Sequence, residues 1–204
     1  MPLPAKRVYF NDYVFDVWKD VYEPAEDSFL FAENLKVQEA ETVLDMGTGC
    51  GILGILASEK ASAVVAVDVN PYAVRCAREN AKLNDVQNKI YYVQGDLFTP
   101  LSEGFKFDVV LFNAPYLPAE ENETAFWIGR AWAGGATGRE VIDRFITEAP
   151  NYLKQTGHIF LMQSTLANVD ETLHIFADYG ISARVVAECA LPFFETIKLV
   201  EAQI

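Results

Sequence analysis

Alternating strand and helix signals predict an α/β fold with a mostly parallel, seven-stranded sheet, helices on both faces and an antiparallel last strand. Three observations carry this. Short apolar runs at residues 42–46, 63–68, 90–94, 107–112, 158–162, 182–187 and 196–201 have the length and composition of strands. Several stretches between them repeat apolar residues at helical spacing. The last two runs are joined by Leu191, Pro192, Phe193 and Phe194, too few residues for a crossover helix, so they pair antiparallel at one end of the sheet.

Residues 1–36 read as an N-terminal segment with a helix, which starts near Glu23, Pro24, Ala25, Glu26, Asp27 and Ser28. Ser28 there is either a cap or a ligand. After the run at 63–68, Asn70 is a good N-cap and Pro71 suits the first helical turn. Ala73, Cys76, Ala77 and Ala81 then form a narrow apolar face. Thr137 and Glu140 have the spacing of a capping box, with Arg139 and Asp143 an i,i+4 pair. The helix they open buries Val141, Ile142, Phe145, Ile146 and Ala149, with Tyr152 and Leu153 continuing the face. Val169, Leu173, Phe176 and Ala177 give the last helix its apolar side. With no linker or repeat, residues 1–204 read as a single domain: 42–112 a cofactor-binding half, 113–137 a substrate loop or lid, 138–204 a C-terminal half.

The composition narrows the function. Half the residues are hydrophobic (51%), enough for a full core, yet no apolar run reaches the length of a membrane span. Cys50, Cys76 and Cys189 form no C-x-x-C pair and read as reduced thiols of a cytoplasmic protein. The only histidines are His158 and His174, which argues against a histidine-rich metal site; no metal ligands are assigned. A net charge of −13 opposes sequence-independent binding to nucleic-acid backbones but leaves a basic protein open as partner.

Residues 42–54, TVLDMGTGCGILG, read as strand, glycine loop and helix. Glycines let the backbone approach a ligand, and the helix start offers free N–H groups. A tight turn without a ligand needs fewer glycines than Gly47, Gly49 and Gly51. Two cofactor types compete. From Gly49 to Gly54 the spacing is G-x-G-x-x-G, the dinucleotide fingerprint, with Asp68 at about the expected distance. Counted from Gly47, directly after the strand, the loop is G-x-G-x-G preceded by Asp45, the order of S-adenosylmethionine sites, which makes Asp45, Gly47, Gly49 and Gly51 candidate cofactor-binding residues. Asp68 is placed to bind ribose hydroxyls in both readings, and Asn70 beside it reads as the helix cap. Asp96, in the turn of Gly95, Asp96 and Leu97, is either a solvated aspartate or an acceptor for an adenine amino group. Gly47, Asp68 and Asp96 end three successive strands at one sheet edge, and that conjunction favours S-adenosylmethionine.

The fourth strand ends in Asn113, Ala114, Pro115 and Tyr116. Asparagine and proline are ordinary turn residues. Beside a methyl donor they acquire a chemical reading. A planar –NH2 group attacks poorly because its lone pair is delocalised. The Asn113 oxygen and the Ala114 carbonyl can bind its two hydrogens, Pro115 fixes the backbone, and Tyr116 forms a flat wall.

Three stretches then carry a resemblance: VYEPAEDS at 21–28, the Asn113 motif, and AWAGGATGREVIDRF at 131–145, with ETIKL at 195–199 also similar. The chain resembles the HemK family of protein N5-glutamine methyltransferases, in its archaeal and eukaryotic branch. That resemblance implies a Rossmann-like class I S-adenosylmethionine methyltransferase fold. It implies that Ser28, Gly47, Asp68, Asp96, Leu97 and Asn113 contact S-adenosylmethionine or line its pocket, and that residues 113–116 hold the substrate nitrogen. The implied substrate is the glutamine of the Gly-Gly-Gln motif in a class 1 translation release factor, and the implied partner a small zinc-binding activator. Ala114 stands where the family has proline.

Residues 117–137 have little periodicity, as binding or mobile loops do. Glu120, Glu121 and Glu123 there either meet a basic factor or are solvated, and Trp127 and Trp132 either form a lid or pack the core. The apolar run at 90–93 falls on a sheet edge in the expected strand order, to be covered by the activator or by the chain's own N-terminal segment. The rival functions are an adenine-N6 or a lysine methyltransferase, an NAD-dependent oxidoreductase, and a catalytically idle partner protein. A Ser-His-Asp or Cys-His hydrolase lacks its nucleophile elbow.

Overall fold

A computed structural model describes residues 6–204. A hairpin comes first, β1 (Lys6–Phe10) with β2 (Tyr13–Val17), followed by α1 (Glu26–Glu33). The sheet and its helices then alternate: β3 (Thr42–Met46), α2 (Ile52–Ala57), β4 (Ala63–Asp68), α3 (Pro71–Leu83), β5 (Ile90–Gln94), β6 (Phe107–Asn113). A short α4 (Trp127–Arg130) interrupts the loop before α5 (Glu140–Glu148), β7 (Leu153–Ser164), α6 (Val169–Asp178), β8 (Ser182–Ala190) and β9 (Thr196–Gln203).

The seven-stranded sheet has the order β5-β4-β3-β6-β7-β9-β8, parallel except that β9 runs antiparallel to both neighbours. The chain builds outward from β3 to β5, then returns to place β6 on the other side of β3. That reversal opens a crevice beyond the carboxyl ends of β3 and β6, where open α/β sheets bind ligands. β3 and β6 lie mid-sheet, so Val43, Leu44, Val110 and Leu111 are all wholly buried. One helical layer rests on α5, whose Ile142, Phe145 and Ile146 are inaccessible to solvent, with the Phe145 ring 4.6 Å from that of Phe112. No helix among the described residues is long and apolar enough to cross a membrane.

Several local expectations change. The hairpin was not among the expected strands; its β2 lies against α3. Asn80 Oδ1 accepts from Asp16 N (2.8 Å) and Asn84 Oδ1 from Val14 N (2.9 Å), while their Nδ2 groups donate to the carbonyls of Asp16 and Val14. Four residues apart on one helix face, the two amides imitate the edge of a neighbouring strand. The capping box at Thr137 and Glu140 does not form. Arg139 is the N-cap residue of α5, and the Glu140 carboxylate accepts from Ala136 N instead. The ion pair of Arg139 with Asp143 does form (2.6 Å). Pro150 has no N–H for an α-helix, so the chain passes through a 3-10 turn and Leu153 belongs to β7.

Candidate active site

Glycines 47, 49 and 51 all have positive φ (64°, 57° and 91°), so the turn from β3 into α2 uses a left-handed backbone that side chains disfavour. Their spatial duties differ. A Cβ on Gly47 would lie 3.1 Å from the Phe112 ring, which fixes how closely the ends of β3 and β6 approach. A Cβ on Gly51 would lie 3.0 Å from the Ala77 Cβ of α3. Asp45 is buried beneath the loop, its Oδ2 accepting from Thr48 Oγ1 (2.5 Å) and Gly54 N (3.0 Å). Burial pushes its carboxyl up to about 7, against the lowering effect of those two bonds. At the end of β4, Asp68 accepts from Gly49 N (2.9 Å) through one oxygen and Asn70 N (2.8 Å) through the other. Burial takes Asp68 to about 6, again against its backbone donors. Asn70 caps α3 by accepting from Tyr72 N, as its position before Pro71 suggested.

A cavity of about 710 Å3 opens at this edge. Its walls include Ser28, Gly47, Gly49, Asp68, Asp96, Leu97 and the whole of residues 113–116. Asp45 and Gly51, expected to touch a ligand, lie outside this lining and shape the loop from behind. Leu97 is buried with φ of 47°, an unusual conformation for a branched residue held beside a binding site. Asp96 is half exposed and receives an ion-pair bond from Arg144 (2.7 Å).

The acceptor end has a different construction. Asn113 Nδ2 donates to Asp27 Oδ2 (3.1 Å) and Ser28 Oγ (3.3 Å), while its Oδ1 is buried without a partner among the described residues. Ser28 is inside α1 and does not cap it; Ala25 holds that position. Asp27, which sequence reasoning passed over, is 5% exposed and also accepts from the hydroxyls of Tyr116 (3.2 Å) and Tyr22 (3.3 Å). Burial and the Asp27 charge raise both tyrosines above the ordinary phenol value. The signal available in sequence was an acid followed by a serine just inside a helix start, which reads equally as ordinary helix-end chemistry.

Residues 117–137 are tied to this motif through backbone. Leu117 N donates to Trp132 O (2.9 Å), Gly134 N to Leu117 O (2.8 Å) and Ala119 N to Gly135 O (2.9 Å). Cβ atoms on Gly134 and Gly138 would lie 2.7 Å from Pro115 O and 2.3 Å from Tyr116 O. The glycine-rich stretch at 134–138 is therefore the bed on which residues 115–116 rest. Trp127 and Trp132 are half-buried and line the cavity, and the Arg130 guanidinium stacks over Trp127 at 4.9 Å. Glu120 and Glu123 are exposed; the Glu121 side chain lies outside the described residues.

A crevice at the switch point of a mainly parallel sheet, floored by a glycine loop and closed by an Asn-x-Pro-Tyr strand end, defines a Rossmann-like methyltransferase. The family model for ribosomal protein L11 methyltransferase (PrmA) matches residues 27–114. The chain is 44% identical to a putative protein N5-glutamine methyltransferase of Methanocaldococcus jannaschii over 178 residues, covering 86% of this chain and 88% of that one. It is 34% identical to human methyltransferase HEMK2, with 80% and 81% covered. The chain belongs to the protein N5-glutamine methyltransferase family. Among solved structures it is similar to E. cuniculi Mtq2 in its complex with Trm112, described as responsible for methylation of the eRF1 translation termination factor. That match has a TM-score of 0.70 and 26% identity, covering 90% of this chain and 98% of the other.

Proposed function

We propose that this protein transfers a methyl group from S-adenosylmethionine to the side-chain amide nitrogen of a glutamine, the one in the Gly-Gly-Gln motif of a class 1 translation release factor. The observation that carries this reading is the Asn113 oxygen, buried at the end of β6 and unpaired among the described residues. A buried acceptor without a donor is costly, and an incoming N–H would satisfy it.

The residues present fit the cofactor. A cavity of about 710 Å3 is in the range of small-molecule sites. The Asp68 carboxylate, held by two backbone donors, retains lone pairs for ribose hydroxyls. Gly47, Gly49, Leu97 and Asp96 would complete the nucleoside side, and Ser28 the methionine side. Bound S-adenosylmethionine would supply an electrophilic sulfonium methyl and leave as the neutral thioether, while the amide nitrogen, acidified as the methyl arrives, would release one proton to solvent. The protein's task is then to orient a poor nucleophile. Asn113 Oδ1 and the Ala114 carbonyl accept the two amide hydrogens, drawing electron density toward the nitrogen and holding it in line. Tyr116 bounds the planar group. Because the carbonyl belongs to the backbone, Ala114 in place of proline keeps the chemistry.

The exposed edge of β5 supports a partner. Among the described residues β5 pairs only with β4, the hairpin lies on α3, and Tyr91 is 62% exposed. A small zinc-binding activator would cover this edge by adding a strand, in keeping with the two-protein assembly of Mtq2 with Trm112.

The test is incubation with labelled S-adenosylmethionine and, in separate arms, release factor or DNA, each with and without activator, followed by mass mapping. A single methyl on the Gly-Gly-Gln glutamine is the expected product. Label on adenine or on lysine alone would overturn the reading.

A further inference from the structure

We infer that Asp27 is the positioning residue of the acceptor site, its carboxylate locking the Asn113 amide with the oxygen turned toward the acceptor; this rests on the methyl-transfer reading above. The local logic is chemical. An ionised carboxylate only accepts hydrogen bonds, whereas a carboxamide has one donating and one accepting end. Asp27 Oδ2 lies 3.1 Å from Asn113 Nδ2. Turning the amide over would set two acceptors against each other and strand two N–H donors. Asp27 thereby decides between orientations of nearly equal shape, and the one it selects leaves Oδ1 without a partner among the described residues.

The surroundings show that Asp27 is more than an acid at a helix start. A helix-end carboxylate normally stays in solvent, where it complements the dipole. Asp27 is instead 5% exposed, with donors converging from three elements: Ser28 in α1, Asn113 at the end of β6, and Tyr116 beyond it. Tyr22 adds a fourth donor from the segment before α1. All of them are neutral, and Asp27 forms no ion pair among the described residues. Burying a carboxylate on those terms costs stability, and the return is one fixed amide. A consequence for specificity follows. The locked site offers acceptors only, so it takes a carboxamide through its N–H groups and rejects the carboxylate of a deamidated acceptor.

The experiment compares Asp27→Asn, Asn113→Asp and the double exchange Asp27→Asn/Asn113→Asp. Asp27→Asn should lower turnover at least about tenfold, the scale of a lost hydrogen bond to a charged group, with S-adenosylmethionine affinity within a few-fold by calorimetry. Asn113→Asp alone sets two carboxylates face to face and should be worse. The double exchange restores one donor and one carboxylate, with an acceptor oxygen facing the substrate whichever way it turns. It should recover at least about tenfold over Asn113→Asp, a coupling that independent losses would not give. Multiplying losses in folded variants would overturn the inference. A readout independent of activity is the Asn113 side-chain amide pair in a 15N spectrum, identified by its absence in Asn113→Asp. Slow hydrogen exchange in the wild type and fast exchange in Asp27→Asn are expected; fast exchange in both would sink the proposal. If the wild type methylates no glutamine while that amide stays protected, the functional reading fails and the locking of Asn113 survives.

Discussion

The two ends of the cavity are built on opposite terms. At the glycine loop the polar groups are matched within neighbouring segments: Asp45 to Thr48 and Gly54, Asp68 to Gly49 and Asn70. At the end of β6 the groups come from residues 22–28, 113–116 and 134–138, and among the described residues one acceptor is left over. A cofactor that every turnover brings back in the same form suits a site that is complete beforehand. An acceptor carried by another protein suits a site with an unmet valence, because the missing donor is then a condition of entry.

Breaking the acceptor end should cost catalysis and spare cofactor binding. Asn113→Ala is expected to cut methyl transfer by roughly a hundred-fold or more, the size of a lost transition-state contact, with S-adenosylmethionine affinity nearly unchanged in calorimetry. Gly138→Ala comes next. The residue has φ of 74°, and its new Cβ would meet Tyr116 O at 2.3 Å. Displacing residues 115–116 should lower turnover about tenfold or more, since small misplacements of reacting groups are costly, and cofactor affinity should again hold. Breaking the other end should give the converse. Asp68→Ala removes two charge-assisted acceptors and should weaken S-adenosylmethionine at least about tenfold, while turnover at saturating cofactor changes less.

The smallest effect is on pH. Burial raises Asp45 to about 7 and Asp68 to about 6, so the folded protein binds protons there that the unfolded chain has released. Their destabilising contribution is absent below about pH 4, grows as pH rises through the two folded values and then levels off. Without ligand, the melting temperature should fall as pH rises from about 5 to about 7 and change little above that. Asp45→Asn should flatten that slope. Asp16, held low by its bond from Arg7, titrates below this window.

Legibility in the sequence followed the same division. Each sheet strand announced itself by a local apolar run, and Gly47, Asp68 and Asp96 reached one edge because strands alternating with helices must be parallel. Boundaries slipped where tertiary packing outweighed local pattern. The apolar Leu153 continued a helical face by spacing but entered β7, because Pro150 had already ended the helix. Asp27 was invisible because its partners lie 86 and 89 residues away. The same is true of the bed at 134–138, whose glycines make sense only beside Pro115 and Tyr116. The hairpin escaped because it is held by distant partners: Asn80, Asn84 and Cys76 of α3 bond its backbone, while Phe15 and Val17 are buried in the core.

Asn80 gives that hairpin a reach beyond its own stability. The same Nδ2 that donates to Asp16 O also donates to Cys50 O (2.8 Å), at the crest of the glycine loop. Clipping the chain ahead of Trp18 would strand Asn80 on its outer side and free it to turn, and the crest would lose its tether. Proteolytic trimming at the amino terminus thus becomes, in effect, a lesion of the glycine loop around Cys50.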